Sequence, residues 1–521
     1  MGAAASPEPL FRNGSRAGYA PSTSPGLAST SQSDFIGMVS PPASQPGTSI
    51  GPKPTQPLTP ESTIPQRTLD SASRERKVPA TPLQRIMGFG SLGASLAFGA
   101  MKDSMSRTLG GSVREANERD TQMVGAFISG DNAEILAAGL CRMRGAALKL
   151  GQMLSLQDEN LVPPALQTAL ERVRAGADYM PRTQLEQVLQ EDLGTGWQDR
   201  LAEFDFMPMA AASIGQVHRG VLHDGRPVAM KVQYPGVAQS IASDLQNLMM
   251  LLKVTNMLPA GLFVDNAATV MERELALECD YTNEMRSQAR FRDLVEGDET
   301  CCAHFQVPAI VPELCSTRVL TSEWVPGVAI DKVHEMPSEV RNRVGSRLLY
   351  ITLRELFTWR FMQTDPNWGN FLYDSETDML SLIDFGAARD YPKTFVDNYL
   401  RMVQACAERD REKVLHWSQE LGFLTGDESR AMQDAHCEAA FIVGLPFGAE
   451  GTYDFGGHSQ LTPRVAELGA KMLKDRLCPP PDEAYSLHRK LSGAFLCCIK
   501  LRAEVPARAL FLEVLNSHKF G

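Results

Sequence analysis

The chain has 521 residues, of which 43% are hydrophobic and 22% are charged, proportions that are ordinary for a globular protein. Its formal net charge of −11 argues against a nucleic-acid-binding protein, because such proteins usually carry a basic surplus. The length suffices for several domains, or for one large two-lobed domain.

The first segment, residues 1–80, is rich in Pro, Ser, Gly and Thr and lacks the apolar periodicity that a folded core requires. We therefore predict a disordered or targeting segment. Its first 60 residues contain only two acids, Glu8 and Asp34, and this scarcity favours an organelle transit peptide. The opening MGAAAS also matches the myristoylation pattern, which leaves a plastid or another membrane as an alternative destination.

An uncharged, Gly- and Ala-rich stretch, IMGFGSLGASLAFGAM, occupies residues 86–101. It is shorter than the ~20 residues that a membrane-spanning helix needs. Small residues four positions apart, such as Gly90 and Ala94, would nevertheless let two helices approach closely in a bilayer. We predict a membrane anchor at residues 84–102, with a flexible apolar linker as the alternative.

Residues 110–195 are predicted to form a helical extension, because apolar residues recur there at steps of three and four. Strand-like segments follow, SIGQVHRGVL and PVAMKVQY, joined by the turn HDGR. Helices are expected at 238–258 and 267–295, with a further strand at RVLTSEWV.

After about residue 336 the pattern is mainly helical, apart from short strands at FLYD and LSLID. Strands followed by a larger helical half indicate an α+β, bilobal architecture. We place the N-lobe at 196–326 and the C-lobe at 327–521.

The ten cysteines include no CxxC pair, and the adjacent pairs Cys301-Cys302 and Cys497-Cys498 suit neither a zinc finger nor a disulfide framework. The cluster CCAH at 301–304 resembles a metal site only weakly. We expect reduced, mostly buried thiols and a reducing compartment.

A phosphate-loop pattern begins the N-lobe. AAASIGQV follows the kinase template GxGxxGxV, and VAMK then places Lys231 where kinases hold nucleotide phosphates. Alanines at two of the glycine places should make this loop stiffer. The predicted nucleotide-binding residues are Ala210, Ala211, Ala212, Ser213, Gly215, Val217 and Lys231, together with Glu323 and Val325 in the last part of the predicted strand RVLTSEWV.

Three further residues complete a phosphoryl-transfer set. Asp365 and Asn370 in TDPNWGN have the D-x-x-x-x-N spacing of a kinase catalytic loop, and Asp384 begins a DFG motif. Oxygen ligands suit Mg²⁺, so Asn370 and Asp384 are predicted to bind the metal of MgATP or MgADP. Asp365 is predicted to orient or deprotonate the attacking group.

Lys231 needs an acidic partner, and spacing alone cannot choose among four candidates. These are Glu272, Glu274, Glu278 and Glu284. Two features argue against a conventional protein kinase: Gln363-Thr364 replaces the usual His-Arg before the catalytic aspartate, and no Ala-Pro-Glu follows the DFG.

Together these motifs resemble the UbiB family, or aarF-domain atypical kinases, and most closely its mitochondrial coenzyme Q branch. ALKLGQMLS resembles the family's KxGQ signature, with Lys149, Gly151 and Gln152. LECDY resembles its ExD signature, with Glu278 and Asp280, and AAAS resembles its alanine-rich loop. The resemblance runs from about residue 73 to about 515.

The resemblance implies a protein-kinase-like fold whose KxGQ extension packs on the active site, with Glu278 and Asp280 meeting it. It implies that Glu284 is the partner of Lys231. It also implies ATP hydrolysis or small-molecule phosphorylation, stimulated by anionic membrane lipid and quinone precursors, on the matrix side of the inner mitochondrial membrane.

The implied partners are the coenzyme Q biosynthesis proteins, with a homodimer as a further possibility. A different class of function stays open: a non-catalytic scaffold or lipid-extracting chaperone in which bound nucleotide only sets conformation. The complete set of Lys231, Asp365, Asn370 and Asp384 favours the enzyme.

Overall fold

The computed structural model describes residues 75–79, 81–109, 135, 139, 179–212, 214–254, 272–273, 275–365, 367–457, 464, 467–469, 472 and 475–521. The predicted targeting segment and most of the predicted extension lie outside the described residues. So do Lys149, Gly151, Gln152, Ser213 and Glu274. The described part is mixed helix and sheet around two large hydrophobic cores, which confirms the α+β class.

The first part of the chain supplies the N-lobe sheet, helices packed around it, and two short strands that belong to a second sheet. In chain order the elements are α1 (Pro82–Leu109), α2 (Arg182–Leu193), β1 (Glu203–Phe204), β2 (Ala210–Ala211), β3 (Gly215–Val221), β4 (Pro227–Gln233), α3 (Val237–Val254), α4 (Tyr281–Glu296), α5 (Glu299–Cys302), β5 (Phe305–Gln306), β6 (Val319–Glu323) and β7 (Val328–Ala329).

The second part is mainly helical. Its elements are α6 (Ser338–Leu353), a π-helical turn (Arg354–Thr358), β8 (Phe361–Gln363), β9 (Phe371–Asp374), β10 (Met379–Leu382), β11 (Ala388–Asp390), α7 (Lys393–Glu408), α8 (Arg411–Glu420), α9 (Arg430–Gly448), β12 (Tyr453–Asp454), α10 (Asp482–Leu501), β13 (Glu504–Val505) and α11 (Ala507–Ser517).

A five-stranded antiparallel sheet forms the N-lobe, in the order β1-β3-β4-β6 with β2 also paired to β3. The register places Lys231 of β4 opposite Val217 of β3 and opposite Leu320 of β6. Alternate residues of β4, including Val228, Met230 and Val232, are fully buried beneath the sheet. Because successive side chains of a strand face opposite sides, Lys231 faces away from this core.

Helix α1 covers the segment that was predicted to be a membrane anchor or a linker. Its residues Phe89, Leu92 and Leu96 are buried, and it packs against α3 of the N-lobe. At its start, Arg85 and Asp244 of α3 form a buried ion pair at 2.5 Å. The segment is therefore helical rather than an irregular linker. None of the described helices combines the length and apolar character that crossing a bilayer requires.

The predicted helix at 267–295 is interrupted at Cys279 and Asp280. The Asp280 carboxylate accepts a hydrogen bond from the Thr282 N–H at 3.0 Å, so it caps a new helix, α4, that begins at Tyr281. The cap was missed because the apolar pattern continues across the break, whereas a side-chain cap depends on local backbone geometry.

The C-lobe core lies among α6, α7, α9 and α10, with α6 packed against α10 and α7 against α9. Buried residues of α7 recur at steps of four and three, as in Val396, Leu400 and Val403, which gives the helix one apolar face. A four-stranded sheet, β5-β10-β9-β7, and the β8–β11 pair join this core to the N-lobe side. They frame the segments that carry Asp365 and Asp384.

Candidate active site

Lys231 lies at the centre of a charged cluster between the two lobes. Its Nζ is 2.7 Å from Glu284 Oε1 and 2.9 Å from Glu284 Oε2, and Glu284 is buried in the first turn of α4. Among the described candidates for its acidic partner, Glu284 is the one in contact, whereas Glu272 is exposed. The Lys231 ammonium also lies 5.1 Å from the ring centroid of Tyr281.

Asp384 of the C-lobe reaches the same lysine. Its Oδ2 lies 3.3 Å from Lys231 Nζ, and its Oδ1 accepts a hydrogen bond from the Gly386 N–H at 3.1 Å. The next residue, Phe385, is fully buried with its ring 5.0 Å from that of Phe291 in α4. This packing fixes the DFG segment against the helix that carries Glu284.

The electrostatic balance follows from this geometry. Burial alone would lower the pKa of the Lys231 ammonium, but the Asp384 and Glu284 carboxylates outweigh it and hold that pKa well above its ordinary value. Burial raises the pKa of the Glu284 carboxyl, with Lys231 acting in the opposite direction. One ammonium therefore faces two carboxyl groups, an imbalance that a divalent cation at Asp384 would relieve.

The catalytic-loop residues lie on the C-lobe side. β8 pairs with β11, and the Thr364 N–H donates to the Ala387 carbonyl at 3.2 Å, which ties the chain just before Asp365 to the chain after the DFG. Asp365 Oδ1 accepts from the Asn367 N–H at 3.3 Å. The Asn370 carbonyl accepts from the Ile383 N–H at 3.1 Å, so Asn370 is held beside Asp384.

The donor set at Asn370 and Asp384 fits a magnesium ion. Asn370 is buried, and its side-chain Nδ2 has no hydrogen-bond partner among the described residues. Amide and carboxylate oxygens are the hard ligands that Mg²⁺ prefers. Within the same part of the chain, no group of three or more His, Cys, Asp or Glu side chains forms a metal cluster, and CCAH is no exception.

The alanine-rich segment forms a tight hairpin. Ala210 pairs with Val217 and Ala211 with Gln216, and the Ala212 N–H donates to the Gly215 carbonyl at 2.8 Å. A methyl group at Gly215 would lie 2.6 Å from the Val232 carbonyl oxygen and 2.7 Å from the Tyr281 hydroxyl. Gly215 is therefore required for close packing, in addition to any role toward phosphate.

Glu323 and Val325 lie at the exit of β6 from the N-lobe sheet. The Glu323 carboxylate pairs with Arg226 at 2.8 Å, and the Glu323 N–H donates to the Ala309 carbonyl at 2.8 Å. Val325 is half-buried. Their predicted contact with nucleotide stays a prediction.

The two described residues of the ExD motif have different environments. Glu278 is buried, and its Cγ would lie 3.6 Å from a methyl group at Gly386, which brings it to the edge of the cluster around Lys231. Asp280 caps α4. Whether the motif meets Lys149, Gly151 and Gln152 stays a prediction, because those residues lie outside the described part.

Two contacting residues were not predicted. Tyr281 lies between Lys231 and Gly215, and its place directly after the ExD motif could have suggested it. Arg489 of α10 donates from Nε to the Thr364 carbonyl at 3.4 Å. No local pattern points to Arg489, because its partner is far away in the chain.

The cysteines of the described part of the chain form no disulfide bonds. Six of the nine described cysteines are buried: Cys279, Cys301, Cys406, Cys437, Cys497 and Cys498. Burial raises the pKa of Cys406 to about 12, so this thiol stays protonated and unreactive.

Comparison with known proteins gives consistent matches. The profile of the ABC1 atypical kinase-like domain matches residues 172–418. The protein named "Atypical kinase COQ8B, mitochondrial" is 48% identical in Danio rerio over 451 residues and 48% identical in Rattus norvegicus over 455 residues. Each alignment covers 87% of this chain, with 71% of the fish protein and 84% of the rat protein.

A more distant relative and a solved structure extend the comparison. "Atypical kinase COQ8, mitochondrial" of Saccharomyces cerevisiae is 38% identical over 449 residues, which cover 86% of each chain. The erythromycin complex of Rv3197 from Mycobacterium tuberculosis is similar with a TM-score of 0.51 and 25% identity, over 71% of this chain and 92% of that one. Together with the profile match, these likenesses confirm the bilobal kinase-like fold.

Proposed function

The chain belongs to the ABC1 family of atypical kinases, also called UbiB, and from that premise we propose a MgATP-dependent kinase or ATPase that supports coenzyme Q biosynthesis. The observation that carries the proposal is the position of Lys231, 2.7 Å from Glu284 of one lobe and 3.3 Å from Asp384 of the other. A lysine held in this way can bind nucleotide phosphates while the carboxylate of the C-lobe serves a metal ion.

Each polar residue of the site then has a role. Asn370 and Asp384 would hold Mg²⁺, which supplies neutralisation of phosphate charge when bound. Lys231, kept charged by Glu284, would bind the phosphates. Asp365 would orient the attacking hydroxyl or water, and its loop position beside β8 and β11 supports that role.

The nucleotide contacts are proposed from the hairpin and the end of β6. Ala210, Ala211, Ala212, Ser213, Gly215 and Val217 would cover the phosphates, with Val217 directly opposite Lys231. Because the Glu323 side chain and N–H group already have partners, we propose that its carbonyl oxygen and the backbone of Val325 contact the nucleotide base.

The predicted extension at residues 110–195 would determine which class of substrate can enter the cleft. Lys149, Gly151 and Gln152 would cover the cleft from one side, with Glu278 and Asp280 as their neighbours on the N-lobe. A covered cleft leaves no groove for a peptide, so the acceptor is water or a small molecule. Membrane lipid and quinone precursors are the proposed regulators.

The proposed setting is the matrix face of the inner mitochondrial membrane. The mitochondrial names of the relatives support the compartment. Support for membrane contact comes from α1, where Met87, Phe98 and Met101 are each more than half exposed. The proposed partners are other coenzyme Q biosynthesis proteins and anionic lipid, and a second copy of the chain is a further candidate.

Asp384→Asn tests the proposal. We expect the wild type to be stabilised against heat by MgATP and to hydrolyse ATP faster on anionic liposomes, whereas the variant loses both responses because a divalent site loses a carboxylate. Asp390→Asn, at an exposed carboxylate that pairs with Arg290, is the matched control. Equal stabilisation of the Asp384→Asn and wild-type proteins would contradict the metal role, and binding without turnover would favour the scaffold.

A further inference from the structure

A buried ion pair lies next to the catalytic loop, outside the cluster around Lys231. Lys490 of α10 and Glu355 of the π-helical turn are 2% and 0% exposed, and Lys490 Nζ lies 3.4 Å from Glu355 Oε2. Neither Nζ nor the two carboxylate oxygens have a hydrogen bond of normal geometry within the described residues. Removing two charges from water generally costs more than their attraction returns, so stability alone does not explain the pair.

The Glu355 carboxyl lies beside β8, the strand that leads to Asp365. Burial raises the pKa of the Glu355 carboxyl to about 7, while Lys490 and the backbone N–H of Gln363 act in the opposite direction. The Gln363 side chain is itself 2% exposed, and neither of its polar atoms has a partner in the described part of the chain. The Glu355 carboxyl therefore lies against the last residue of β8, two positions before Asp365.

Lys490 lies at the other end of the catalytic loop, near Phe371. Its ammonium lies 5.1 Å from the ring centroid of Phe371 and borders a cavity of about 20 Å³, which is room for one water molecule. Trp368 also lines this cavity, and its indole Nε1 is buried without a partner among the described residues. The face of α10 toward the cavity is formed by Lys490, Gly493, Ala494 and Cys497, at helical spacing.

Two neighbours on α10 hold the same loop. Arg489 Nε donates to the Thr364 carbonyl at 3.4 Å, and Lys500 Nζ lies 4.5 Å from the ring centroid of Trp368. α10 therefore contacts the loop on both sides of Asp365. Glu355 lies in a π-helical turn, a feature that is frequent at functional sites.

We propose that Lys490 and Glu355 are positioning residues, whose paired charges fix residues 364–370 in the geometry that phosphoryl transfer requires. The inference rests on the proposed function, because it concerns the same loop. Apolar side chains could pack in several ways at this place, whereas two buried charges must stay together and near the polar groups of the loop.

The test compares Lys490→Met, Glu355→Gln and the double variant with the wild type at pH 8, above the pKa of about 7 of the Glu355 carboxyl, so that both members of the pair are charged. Each single variant should unfold at lower denaturant, because one buried charge is left alone, and the double variant should regain most of that loss. If the pair positions the loop, the double variant still has a kcat lowered about tenfold or more with a smaller change in the KM for MgATP. Hydrogen exchange of residues 361–371 should also be faster.

Asp397→Asn is the control, because Asp397 binds Lys393 and His518 in the C-lobe, away from the loop. It should lower stability without a selective increase in exchange at 361–371. Wild-type kcat and wild-type loop exchange in the double variant would overturn the inference. If the double variant stays less stable than wild type, its hydrogen exchange at residues 361–371 is compared with that of Asp397→Asn. Equal exchange of these residues in the two variants would also overturn the inference. If wild-type protein shows no ATP turnover, the proposed function fails, and loop exchange alone decides the inference.

Discussion

Gly215 is a predicted nucleotide contact and is also required for close packing of the N-lobe sheet. The phosphate-loop template predicts it as a nucleotide contact, and the structure adds a packing reason, since β4 and Tyr281 leave no room for a side chain. Its hydrogen-bonded position at the start of β3 also fixes the register that places Val217 opposite Lys231. Loss of this glycine should therefore affect the fold before it affects nucleotide binding.

We expect Gly215→Ala to destabilise the protein by about 1–3 kcal/mol, the usual cost of overpacking. The new methyl would lie 2.6 Å from the Val232 carbonyl oxygen, and backbone atoms cannot move aside as a flexible side chain can. Gly90→Ala is the control, because Gly90 is exposed in α1 with nothing within 4 Å. Alanine there should raise stability by up to about 1 kcal/mol. Chemical denaturation measures both, and an unchanged midpoint for Gly215→Ala would contradict the packing argument.

At the scale of elements, α4 depends on its first turn. This helix carries Glu284 only four residues after its cap, Asp280, so fraying of the first turn would move the partner of Lys231. The ExD resemblance predicts that Asp280 meets the extension, and capping is an independent role for the same carboxylate.

Asp280→Ala should therefore cost about 0.5–2 kcal/mol and raise the KM for ATP, because the Thr282 N–H loses its acceptor. Asp280→Asn should keep the stability and the KM for ATP close to the wild-type values, since Asn caps helices as well as Asp does. Denaturation and steady-state kinetics on the two variants are the measurements. If Asp280→Asn is as impaired as Asp280→Ala, the negative charge matters, as a contact with the extension would require.

α1 has two apolar faces with different roles. Phe89, Leu92 and Leu96 are buried, whereas Met87, Phe98 and Met101 project from the opposite side of the helix. The first face docks α1 on the N-lobe, and the second is available to a membrane surface.

A Phe98→Glu/Met101→Glu variant should float less with anionic liposomes, because the exposed face loses apolar area and gains negative charge. Met207→Glu, at an exposed methionine outside α1, should float like wild type. Proteins that begin at residue 80 and at residue 110 give a second comparison. Equal flotation of all five proteins, the wild type included, would show that α1 does not contribute to membrane binding.

Sequence patterns predicted the strands well where the signals are local, and they singled out Lys231 and Asp384, which lie 3.3 Å apart in the structure. β3, β4, β6 and β9 fall within the predicted strand segments, and β10 begins one residue before its predicted segment, because alternation and turn residues are short-range signals. The break at Asp280 and the helical nature of 86–101 were harder to predict, since a cap and a docked face depend on three-dimensional contacts. The Lys490–Glu355 pair could not be predicted at all, because no spacing rule links residues so far apart.

At the scale of the whole molecule, the two lobes meet through charges. Lys231 joins Glu284 of the N-lobe to Asp384 of the C-lobe, while Arg290 of α4 pairs with Asp390 of β11 at 2.7 Å. The pKa values of the Asp244 and Glu355 carboxyl groups are raised above their ordinary values, whereas those of Asp378 and Asp397 are lowered. This distribution gives a testable dependence of overall stability on pH.

Stability should be greatest near pH 4–5 and fall on both sides. On the alkaline side, burial raises the pKa of Asp244 to about 6 and that of Glu355 to about 7. These groups bind protons in the folded state that the unfolded chain has released, so their contribution falls as pH rises from 4 to 7. On the acid side, burial alone would raise the pKa of the Asp378 carboxyl, but hydrogen bonds from Arg347 and Tyr373 lower it to about 2. Burial alone would likewise raise the pKa of the Asp397 carboxyl, but hydrogen bonds from Lys393, Gly521 and His518 lower it to about 2.

The stabilisation from Asp378 and Asp397 is present above pH 4 and is lost as pH falls toward 2, because the unfolded chain then binds more protons than the folded one. Denaturant midpoints measured at intervals from pH 3 to pH 8 give the profile. Asp397→Asn should flatten its acid limb, since the amide cannot titrate, and should leave the alkaline limb as in wild type. A profile that instead rises steadily to pH 8 would show that carboxylates other than these four control the stability of the whole molecule.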